Sequence, residues 1–572
     1  GKIYDRNGEV LADNMPVCTI SVIHNQIMDA ERVIEVLTKE LELSEAYVRK
    51  RVEKYSSIET IKTNVDKETG DAIRAYELDG VMVDEDYKRF YPYGTLASKV
   101  LGFTGSDNQG ILGLEVKYDF WLKGDNGKIL TMTTAHGMEI PDMAENMVTP
   151  VEGNSIITSL DVVVQSYAEQ IAMRVLEAKN AKNVSILVMN PNNGEIYAMA
   201  SYPFYDLNNP RDLSSFFTEE EIASMTDDDK LKFYYSLWRN YCISDTYEPG
   251  STAKIFTVAA ALEENIVNMN KTFMCKGKLH VGGWDIHCHN KYGHNKLTLK
   301  ESIAFSCNVA MMELAAQIGA DVFVKYQENF GVGRLTGIDL PGEASAEGLY
   351  YKADNMKASD LATSSFGQNY NVTMIQMVAA YSSVINGGYY YEPHVVKKIV
   401  NAAGNTVKET EPILVKQTIS NATSEWLVDS LEGVVTEGTG SNAAITGYSI
   451  GGKTGTAEKA IKDKENYLVS FIGFSPVEKP EVLIYVIVDE PNVEKQSNSK
   501  YASGLARDIL EEILPSLNIH SSLEDIEPEP ETSTEPEVTT PEEPTEPQLP
   551  NPSYSEEWEE PIVQTPSEEP TT

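Results

Sequence analysis

The chain has 572 residues, enough for two to four domains, and 41% of them are apolar, as in a globular protein. No stretch approaches about 18 consecutive apolar residues, so the sequence predicts no segment that spans a membrane. The formal net charge of −40 argues against a nucleic acid or an anionic membrane surface as partner.

The two ends of the chain carry separate signals. The sequence begins at Gly1 rather than at a methionine and has no signal peptide, so we expect an incomplete N-terminus and leave room for an anchor before it. Residues 521–572 hold sixteen acidic residues, eleven prolines and no Lys or Arg. Such a composition buries too little apolar surface to fold, which predicts a disordered tail over residues 517–572, most simply a surface spacer.

Residues 1–152 predict an extended, irregular α+β region. Alternating apolar residues indicate a strand around Val17–Ile23, and a charged pattern indicates one helix around Asp29–Tyr55. Turn-forming residues are frequent near Tyr91–Gly105. This region contains no catalytic constellation, so we expect any chemistry to lie further along the chain.

Residues 153–516 predict a second α+β region built around one antiparallel sheet. After Ser155–Thr158 the pattern indicates a long amphipathic helix over Val162–Lys179. The predicted strands form two pairs, one near each end of the region: Val184–Met189 with Glu195–Ser201 across Pro191-Asn192-Asn193-Gly194, and Tyr467–Phe474 with Val482–Val488. The chain between the pairs is mostly helical in pattern, so we expect both ends of the region to close one sheet.

The first chemical motif is Glu248-Pro249-Gly250-Ser251-Thr252-Ala253-Lys254. Pro-Gly ends the preceding structure, so Ser251 falls in the first turn of a helix and Lys254 lies on the same helix face. A neighbouring amine held neutral can take the proton of a serine hydroxyl, and a helix N-terminus favours the developing negative charge. On its own the pattern Ser-x-x-Lys is common by chance.

Two further motifs follow in a fixed order. Ser306-Cys307-Asn308 begins 55 residues after Ser251, and Lys453-Thr454-Gly455-Thr456 begins about 200 residues after it. Separately these are also compatible with a surface loop and a glycine-rich strand edge. Together and in this order, the three motifs are the set that serine β-lactamases and penicillin-binding proteins use.

With these motifs the chain resembles the class B penicillin-binding proteins, the monofunctional D,D-transpeptidases. The resemblance runs from Lys2 to about Pro515 and includes Lys2-Ile3-Tyr4-Asp5-Arg6-Asn7-Gly8, Gly113-Leu114-Glu115, Tyr241–Phe256, Gly337–Glu343, Phe366-Gly367-Gln368, Asn386-Gly387-Gly388 and Gly438-Thr439-Gly440. It implies an N-terminal pedestal followed by a β-lactamase-like transpeptidase domain of antiparallel sheet and helices. One departure is Asn369-Tyr370-Asn371, where the family more often has glycine, and it puts the shape of this loop in question.

The resemblance implies a role for each matched catalytic residue. Ser251 would attack the penultimate D-Ala carbonyl of a peptidoglycan stem peptide, and Lys254 would be the general base. Ser306 and Asn308 would move protons and hold the amide of the substrate. Lys453 would add positive potential, and a β-lactam would acylate Ser251 and stay bound.

The resemblance also implies how the substrate is held. Thr454 and Thr456 would bind the substrate carboxylate with their hydroxyl groups, and Gly455 leaves room for a ligand along this strand. The backbone N–H groups of Ser251 and Thr456 would form the oxyanion hole.

The five cysteines are an odd number, so they do not form a simple disulfide framework. Some class B enzymes bind zinc at a similar spacing, and this resemblance implies a structural zinc held by Cys275, Cys288, His294 and Cys307. The alternative is a Cys275–Cys288 disulfide with Cys307 as a buried thiol. Other histidines near this cluster, which are possible substitute ligands, are His287, His289 and, more weakly, His280.

Three other functions remain to be separated from transpeptidation. A serine β-lactamase needs a carboxylate that activates water, and no Glu-x-x-Asn sequence lies between the second and third motifs. A β-lactam sensor needs a signalling region, which is not visible. A scaffold for a membrane glycosyltransferase is compatible with transpeptidation. We therefore expect stem peptides, β-lactams and such a glycosyltransferase as partners, and a location on the extracytoplasmic face of the bacterial membrane.

Overall fold

The structure is a computed structural model that describes residues 1–130, 146–179, 181–459 and 466–522. The predicted tail over residues 517–572 lies outside this range, except for residues 517–522, in which Ile519 is buried. Among the described helices, none combines the length and the apolar character that crossing a membrane requires.

The N-terminal region is organised around one long strand that pairs with two others. Strand β2 (Val10–Val22) covers the predicted strand at Val17–Ile23 except for its last residue and begins earlier, because its exposed residues 14–16 also pair with β4 (Val81–Phe90). The strands are β1 (Ile3–Tyr4), β2 (Val10–Val22), β3 (Glu59–Asp66), β4 (Val81–Phe90), β5 (Lys128–Leu130) and β6 (Asn146–Val148). The helices are α1 (Ala30–Leu41), α2 (Glu45–Val52), α3 (Lys67–Ala75), α4 (Ser98–Leu101), α5 (Gly113–Lys117) and α6 (Asp119–Leu122).

The prediction of one helix over Asp29–Tyr55 is wrong, because the structure has two helices there. Helix α1 ends where Glu42 adopts a left-handed backbone conformation with φ of 53°. Helix α2 then begins after Ser44, which has extended backbone angles. Both helices bury apolar side chains, including Leu37 and Val48, in one small core. The break lets the second helix pack into the same core as the first. The charged sequence pattern is continuous across the break and therefore does not show it.

A buried ion pair lies between the end of β4 and α5. Arg89 Nε donates to Glu115 Oε1 at 2.7 Å, and the two side chains are only 6% and 3% exposed. Tyr91 donates its hydroxyl to the same carboxylate oxygen at 3.2 Å. Water does not compete for these groups, so loss of either partner would leave an uncompensated buried charge.

We therefore expect Arg89→Met to destabilise the protein by about 3–5 kcal/mol, because Glu115 then stays buried without a cation. The surface pair of Arg32 and Glu35, with side chains 48% and 70% exposed, offers a matched control. Arg32→Met should cost about 1 kcal/mol at most. Thermal unfolding of the two variants measures the difference, and equal melting temperatures would show that the buried pair contributes nothing.

The C-terminal region has sixteen strands and twelve α-helices among its described residues. The strands are β7 (Ser155–Thr158), β8 (Asn183–Met189), β9 (Ile196–Ser201), β10 (Thr246–Tyr247), β11 (Thr272–Cys275), β12 (Lys278–Val281), β13 (Trp284–His287), β14 (Asn295–Thr298), β15 (Val372–Thr373), β16 (Tyr389–Tyr391), β17 (Val396–Val400), β18 (Thr406–Glu409), β19 (Leu414–Gln417), β20 (Gly451–Glu458), β21 (Tyr467–Ser475) and β22 (Val482–Asp489). The helices are α7 (Val162–Lys179), α8 (Glu219–Ser224), α9 (Asp227–Trp238), α10 (Tyr241–Ser244), α11 (Lys254–Glu263), α12 (Leu299–Ala304), α13 (Asn308–Ile318), α14 (Ala320–Asn329), α15 (Ala358–Ser364), α16 (Met374–Ile385), α17 (Asn421–Thr436) and α18 (Lys500–Ser516).

The predicted sheet is confirmed: five antiparallel strands in the order β20-β21-β22-β8-β9 join the two ends of the C-terminal region. Side chains of β22 alternate between two cores, because successive residues of a strand point to opposite faces. Leu483 and Tyr485 face the larger core, which contains α11 and α16. Val482 and Ile484 face the smaller core, which contains α7 and α18. Helices cover both faces, so the free edge of β20 is where a ligand can approach.

A second sheet crosses the predicted boundary at residue 152. Strand β1 pairs with β2 and also, in parallel, with β7, and β7 pairs with β17. The strand order β18-β17-β7-β1-β2-β3, with β4 attached to β2, therefore contains strands from both regions. Shared backbone hydrogen bonds join the N-terminal region firmly to the C-terminal one.

Candidate active site

Ser251 lies in a tight helical turn, Gly250–Ala253, that continues directly into α11. Gly250 has a φ of 57°, a left-handed conformation that glycine adopts without strain, and its N–H donates to Gly367 O at 2.9 Å. A Cβ atom at Gly250 would lie 2.5 Å from Thr456 O of β20. The absence of a side chain therefore lets the Ser251 turn lie directly against the edge strand.

Lys254 is fully buried one helical turn after Ser251. Its Nζ donates to Ser306 O at 2.6 Å, to Ser306 Oγ at 2.9 Å and to Asn308 Oδ1 at 2.6 Å. Burial lowers the pKa of this amine to about 8. Lys254 thus connects the first two motifs, as their spacing alone could not show.

The Ser251 hydroxyl makes no hydrogen bond with any described residue, and its side chain is partly exposed. The predicted contact between Ser251 and Lys254 is therefore not formed in this structure. Catalytic hydrogen bonds are often long without substrate and shorten when it binds, so the role of Lys254 stays a prediction.

Ser306 occupies an unusual backbone position between α12 and α13. Its φ is 54°, in the left-handed region that non-glycine residues rarely adopt, and it is 6% exposed. The next residue, Cys307, caps α13, because its Sγ accepts the N–H of Ala310 at 3.5 Å. Asn308 donates its side-chain amide to His287 O at 3.2 Å. Such strain at a buried polar residue is typical of functional sites.

The third motif forms part of the edge strand β20. Lys453 is fully buried, its Nζ donates to Thr454 O at 3.1 Å, and burial together with the charge of Lys254 holds its pKa well below the usual range. Thr454 and Thr439 share a hydroxyl–hydroxyl hydrogen bond of 2.8 Å. Thr456 donates its hydroxyl to Ser497 O at 3.4 Å.

Thr439 is a residue of this site for which the sequence assigns no role. It belongs to Gly438-Thr439-Gly440, which the sequence shows only as a segment of the family resemblance. A Cβ atom at Gly438 would lie 2.3 Å from Ala304 O, so the turn packs closely on α12 and brings the Thr439 hydroxyl to Thr454. The three-residue Gly-Thr-Gly pattern is the signal that could have indicated it.

Asn369 stands directly after Gln368, where the family more often has glycine, and its backbone conformation explains this difference. Its φ is 64°, and asparagine is one of the few residues besides glycine that accept this conformation readily. The Asn369 N–H donates to Glu248 Oε1 at 2.9 Å, three residues before Ser251. The loop therefore keeps a conformation that a glycine could adopt and is fixed to the nucleophile turn.

The four predicted metal ligands come together in one cluster. One ligand atom from each of Cys275, Cys288, His294 and Cys307 lies within 4.8 Å of every other. The pairing of β11 with β14 places Cys275 opposite Asn295, next to His294. All five cysteines are free thiols, so the alternative Cys275–Cys288 disulfide is not formed.

The chemistry of these four groups fits a metal ion. The hydrogen bond from Cys307 lowers the pKa of the Cys288 thiol and raises that of Cys307, which favours the thiolate form of Cys288 that binds metals. Burial lowers the pKa of His294 and favours the neutral imidazole that binds metals. The cluster can therefore hold a metal ion, and three thiolates with one imidazole form a usual structural set.

The other histidines near the cluster have different contacts. His287 is exposed and its backbone oxygen accepts the side-chain amide of Asn308, and the ring of His280 pairs with Asp285 at 2.8 Å. His289 Nδ1 lies 3.9 Å from Cys288 Sγ, slightly further than the 3.7 Å of His294 Nδ1. His294 is the histidine of the four-residue cluster, as the resemblance implied.

Comparisons with known proteins assign both regions of the chain to one family. Residues 184–511 match the penicillin binding protein transpeptidase domain, and residues 1–158 match the penicillin-binding protein dimerisation domain. Stage V sporulation protein D of Bacillus subtilis is 39% identical over 537 residues, which cover 92% of this chain and 80% of that protein. Peptidoglycan D,D-transpeptidase FtsI of Buchnera aphidicola is 30% identical over 533 residues, covering 91% and 87%.

Solved structures agree on the fold. A peptidoglycan synthetase from Bifidobacterium adolescentis superposes with a TM-score of 0.72 at 21% identity, covering 91% of this chain and 96% of that one. Penicillin Binding Protein 2X from Streptococcus thermophilus gives a TM-score of 0.72 at 23% identity, covering 92% and 80%. The chain belongs to the class B penicillin-binding proteins, the monofunctional D,D-transpeptidases, which are serine acyl-transfer enzymes.

Proposed function

We propose that this protein cross-links peptidoglycan stem peptides and that Ser251 is its nucleophile. Ser251 Oγ attacks the carbonyl carbon of the penultimate D-Ala, and its proton passes to Lys254. The terminal D-Ala leaves as an amine that takes this proton back, and an ester to Ser251 remains. The amine of a neighbouring stem peptide then attacks the ester carbonyl, an amide forms as the ester bond to Ser251 breaks, and a proton from the amine returns to Ser251 Oγ. The observation that carries this proposal is the buried Lys254 amine, held by Ser306 and Asn308 one turn from Ser251.

The remaining groups fit the binding of a peptide along β20. The backbone N–H groups of Ser251 and Thr456 would stabilise the oxyanion, usually the largest single contribution to such catalysis. The close approach of Gly250 to Thr456 supports this pairing. Thr454 and Thr456 would bind the terminal carboxylate with their hydroxyl groups, Lys453 would add positive potential, and Gly455 keeps the strand surface free of a side chain.

A β-lactam would acylate Ser251 in the same way, because its ring amide occupies the place of the D-Ala–D-Ala bond. Deacylation then distinguishes the candidate functions. A fluorescent penicillin should label the protein stably, and a D-Ala-D-Ala stem-peptide analogue should release D-Ala. Rapid loss of the label would instead indicate a β-lactamase, and a stable label without D-Ala release would indicate a sensor.

The rate of acylation should depend on pH through Lys254. Only the neutral amine accepts a proton, and the pKa of this lysine is lowered to about 8 by burial. The second-order rate constant for benzylpenicillin should therefore rise about tenfold per pH unit below pH 8 and level off above it. Lys254→Gln should lower the plateau by about 10²–10⁴-fold and remove the dependence. A rate that is constant from pH 6 to pH 9 in the unmodified protein would exclude this role.

The metal cluster is proposed to hold a structural zinc ion through Cys275, Cys288, His294 and Cys307. All four ligand positions of a tetrahedral ion would come from the protein, so no metal-bound water takes part in the reaction. Bound zinc would supply positive charge to the thiolates and fix Cys307. Because Ser306 and Asn308 flank Cys307, the ion would hold the left-handed backbone of Ser306 and orient both side chains toward Lys254.

We also propose the setting in which the enzyme works. Peptidoglycan stem peptides are found outside the cytoplasmic membrane, so the active site would lie on the extracytoplasmic face. The shared sheet of β1, β7 and β17 gives the N-terminal region a firm attachment to the catalytic region. This attachment suits a pedestal that positions the active site relative to a membrane glycosyltransferase. Co-purification of the two proteins, with and without residues 1–152, tests that partnership.

A further inference from the structure

A cavity of about 650 Å³ lies beside the active site at one end of the five-stranded sheet. Strands β20, β22 and β9 end there and β21 and β8 begin there, so the cavity runs along the whole end of the sheet. Tyr241 and Tyr247 are part of its apolar wall. None of the predicted site residues lines it, so its use is not explained by the acyl-transfer chemistry.

Lys99 reaches this cavity from the N-terminal region. It is 9% exposed, and its amine makes no hydrogen bond or ion pair with any described residue. The helix that carries it is fixed on both sides: Ala97 N–H donates to Glu169 Oε1 at 2.7 Å, and Tyr205 donates its hydroxyl to Ser98 O at 2.9 Å. Burial lowers the pKa of Lys99 to about 8. Attraction to Asp245 and Glu169 partly offsets this effect, but neither carboxylate forms an ion pair with Lys99, so the buried amine has no direct anionic partner that a ligand carboxylate would have to displace.

The other cations of the cavity already have anionic partners. Lys182 pairs with Glu490, Arg239 pairs with Asp245, and Lys459 pairs with Asp489 and Glu490. Lys99 is thus the one lining cation among the described residues without an ion pair. Glu248 and Glu458 also line the cavity and pair with no described cation, so the cavity suits a ligand with one carboxylate held directly by Lys99 better than a multiply charged phosphate.

The position of the cavity connects it to the substrate. Glu248 lines it and lies three residues before Ser251, and Ala457 lines it and directly follows Thr456. Strand β20 is the edge of its sheet, so an extended peptide can lie along it. At about 3.3 Å per residue, two or three peptide residues upstream of the scissile bond extend roughly 7–10 Å from Ser251. A stem peptide on β20 therefore continues toward the cavity.

We propose that this cavity is a specificity subsite in which Lys99 binds a free carboxylate of the stem peptide, upstream of the D-Ala–D-Ala bond. The inference rests on the proposed transpeptidase function. Such a subsite would make the enzyme prefer stem peptides with a free carboxylate on the second or third residue. Stem peptides in which this carboxylate is an amide would be poorer substrates. The subsite also gives the N-terminal region a direct part in substrate selection.

The test uses D-Ala-D-Ala pentapeptides in matched pairs, with a free carboxylate or a primary amide at the second or third residue. We expect kcat/KM for D-Ala release to be about tenfold higher for the free carboxylate in at least one pair, mainly through KM, since a hydrogen bond to a charged group has about this effect. Lys99→Met should reduce that ratio to about one, and Lys99→Arg should retain a preference for the carboxylate.

Lys182→Met is the matched control, because its charge lines the same cavity but is paired with Glu490. It should keep the ratio of the unmodified protein. Equal rates for both members of every pair would overturn the subsite, and so would a preference that survives Lys99→Met. Stable penicillin labelling of Ser251 together with D-Ala release would, in either case, leave the proposed function intact. Absence of both labelling and D-Ala release would instead refute the proposed function, and the subsite with it.

Discussion

Ser251→Ala is expected to abolish covalent labelling by benzylpenicillin and to slow D-Ala release from a stem-peptide analogue by about a millionfold. Removal of the nucleophilic hydroxyl leaves no atom that can form the acyl-enzyme, and loss of a catalytic serine has an effect of this size in other serine enzymes. The fold should survive, because the Ser251 hydroxyl makes no hydrogen bond with the described residues. Intact-protein mass spectrometry after incubation with benzylpenicillin measures the labelling.

Ser244→Ala is a suitable control for this experiment. Ser244 lies seven residues before Ser251 and donates its hydroxyl to Gly342 O at 2.7 Å, away from the three motifs. Its alanine variant should bind one equivalent of benzylpenicillin, as the unmodified protein does. Stoichiometric labelling of Ser251→Ala would mean that another residue is the nucleophile.

Cys307→Ser is expected to lose the bound metal and to lower the melting temperature strongly. In small zinc domains a structural zinc contributes about 10–16 kcal/mol of apparent binding free energy, much of which stabilises the fold. Cys307 is completely buried, so a hydroxyl in its place leaves three ligands without a fourth. Metal analysis of protein purified without added zinc should give about one equivalent for the unmodified chain and far less for the variant.

The same substitution should also slow acylation, because Ser306 and Asn308 lose the anchor between them. Cys242→Ser is the matched control: this thiol is equally buried but lies outside the four-residue cluster, with Sγ 3.6 Å from Ala200 O. It should retain the metal. A metal-free protein with an intact Cys275–Cys288 disulfide and full activity would refute the zinc proposal.

The parts that the sequence predicts best are those with a local or strongly periodic signal. Helix α7 over Val162–Lys179 has the predicted bounds, and the two predicted strand pairs join one antiparallel sheet. Each of the three motifs also has a residue with a definite local role. Ser251 starts a helix, Cys307 caps one, and Lys453 lies on an edge strand.

The parts that the sequence could not predict depend on contacts between distant segments. No local pattern shows that Lys254 binds Ser306 and Asn308 rather than Ser251 in the absence of substrate. The left-handed backbone of Glu42, which divides a predicted helix, has no glycine to signal it. Lys99 is an ordinary lysine in the sequence, and only its burial beside the end of the sheet makes it a candidate for ligand binding.

Cross-linking by this enzyme can be tested by mass spectrometry of the products formed from a D-Ala-D-Ala stem-peptide donor and an acceptor peptide that carries a free amine. We expect cross-linked peptide and free D-Ala in equal amounts, with a transient donor acyl group on the proteolytic fragment that contains Ser251. Transpeptidation would be contradicted if protein that penicillin acylates stably formed neither product. It would also be contradicted if hydrolysed penicillin were the main product of incubation with penicillin.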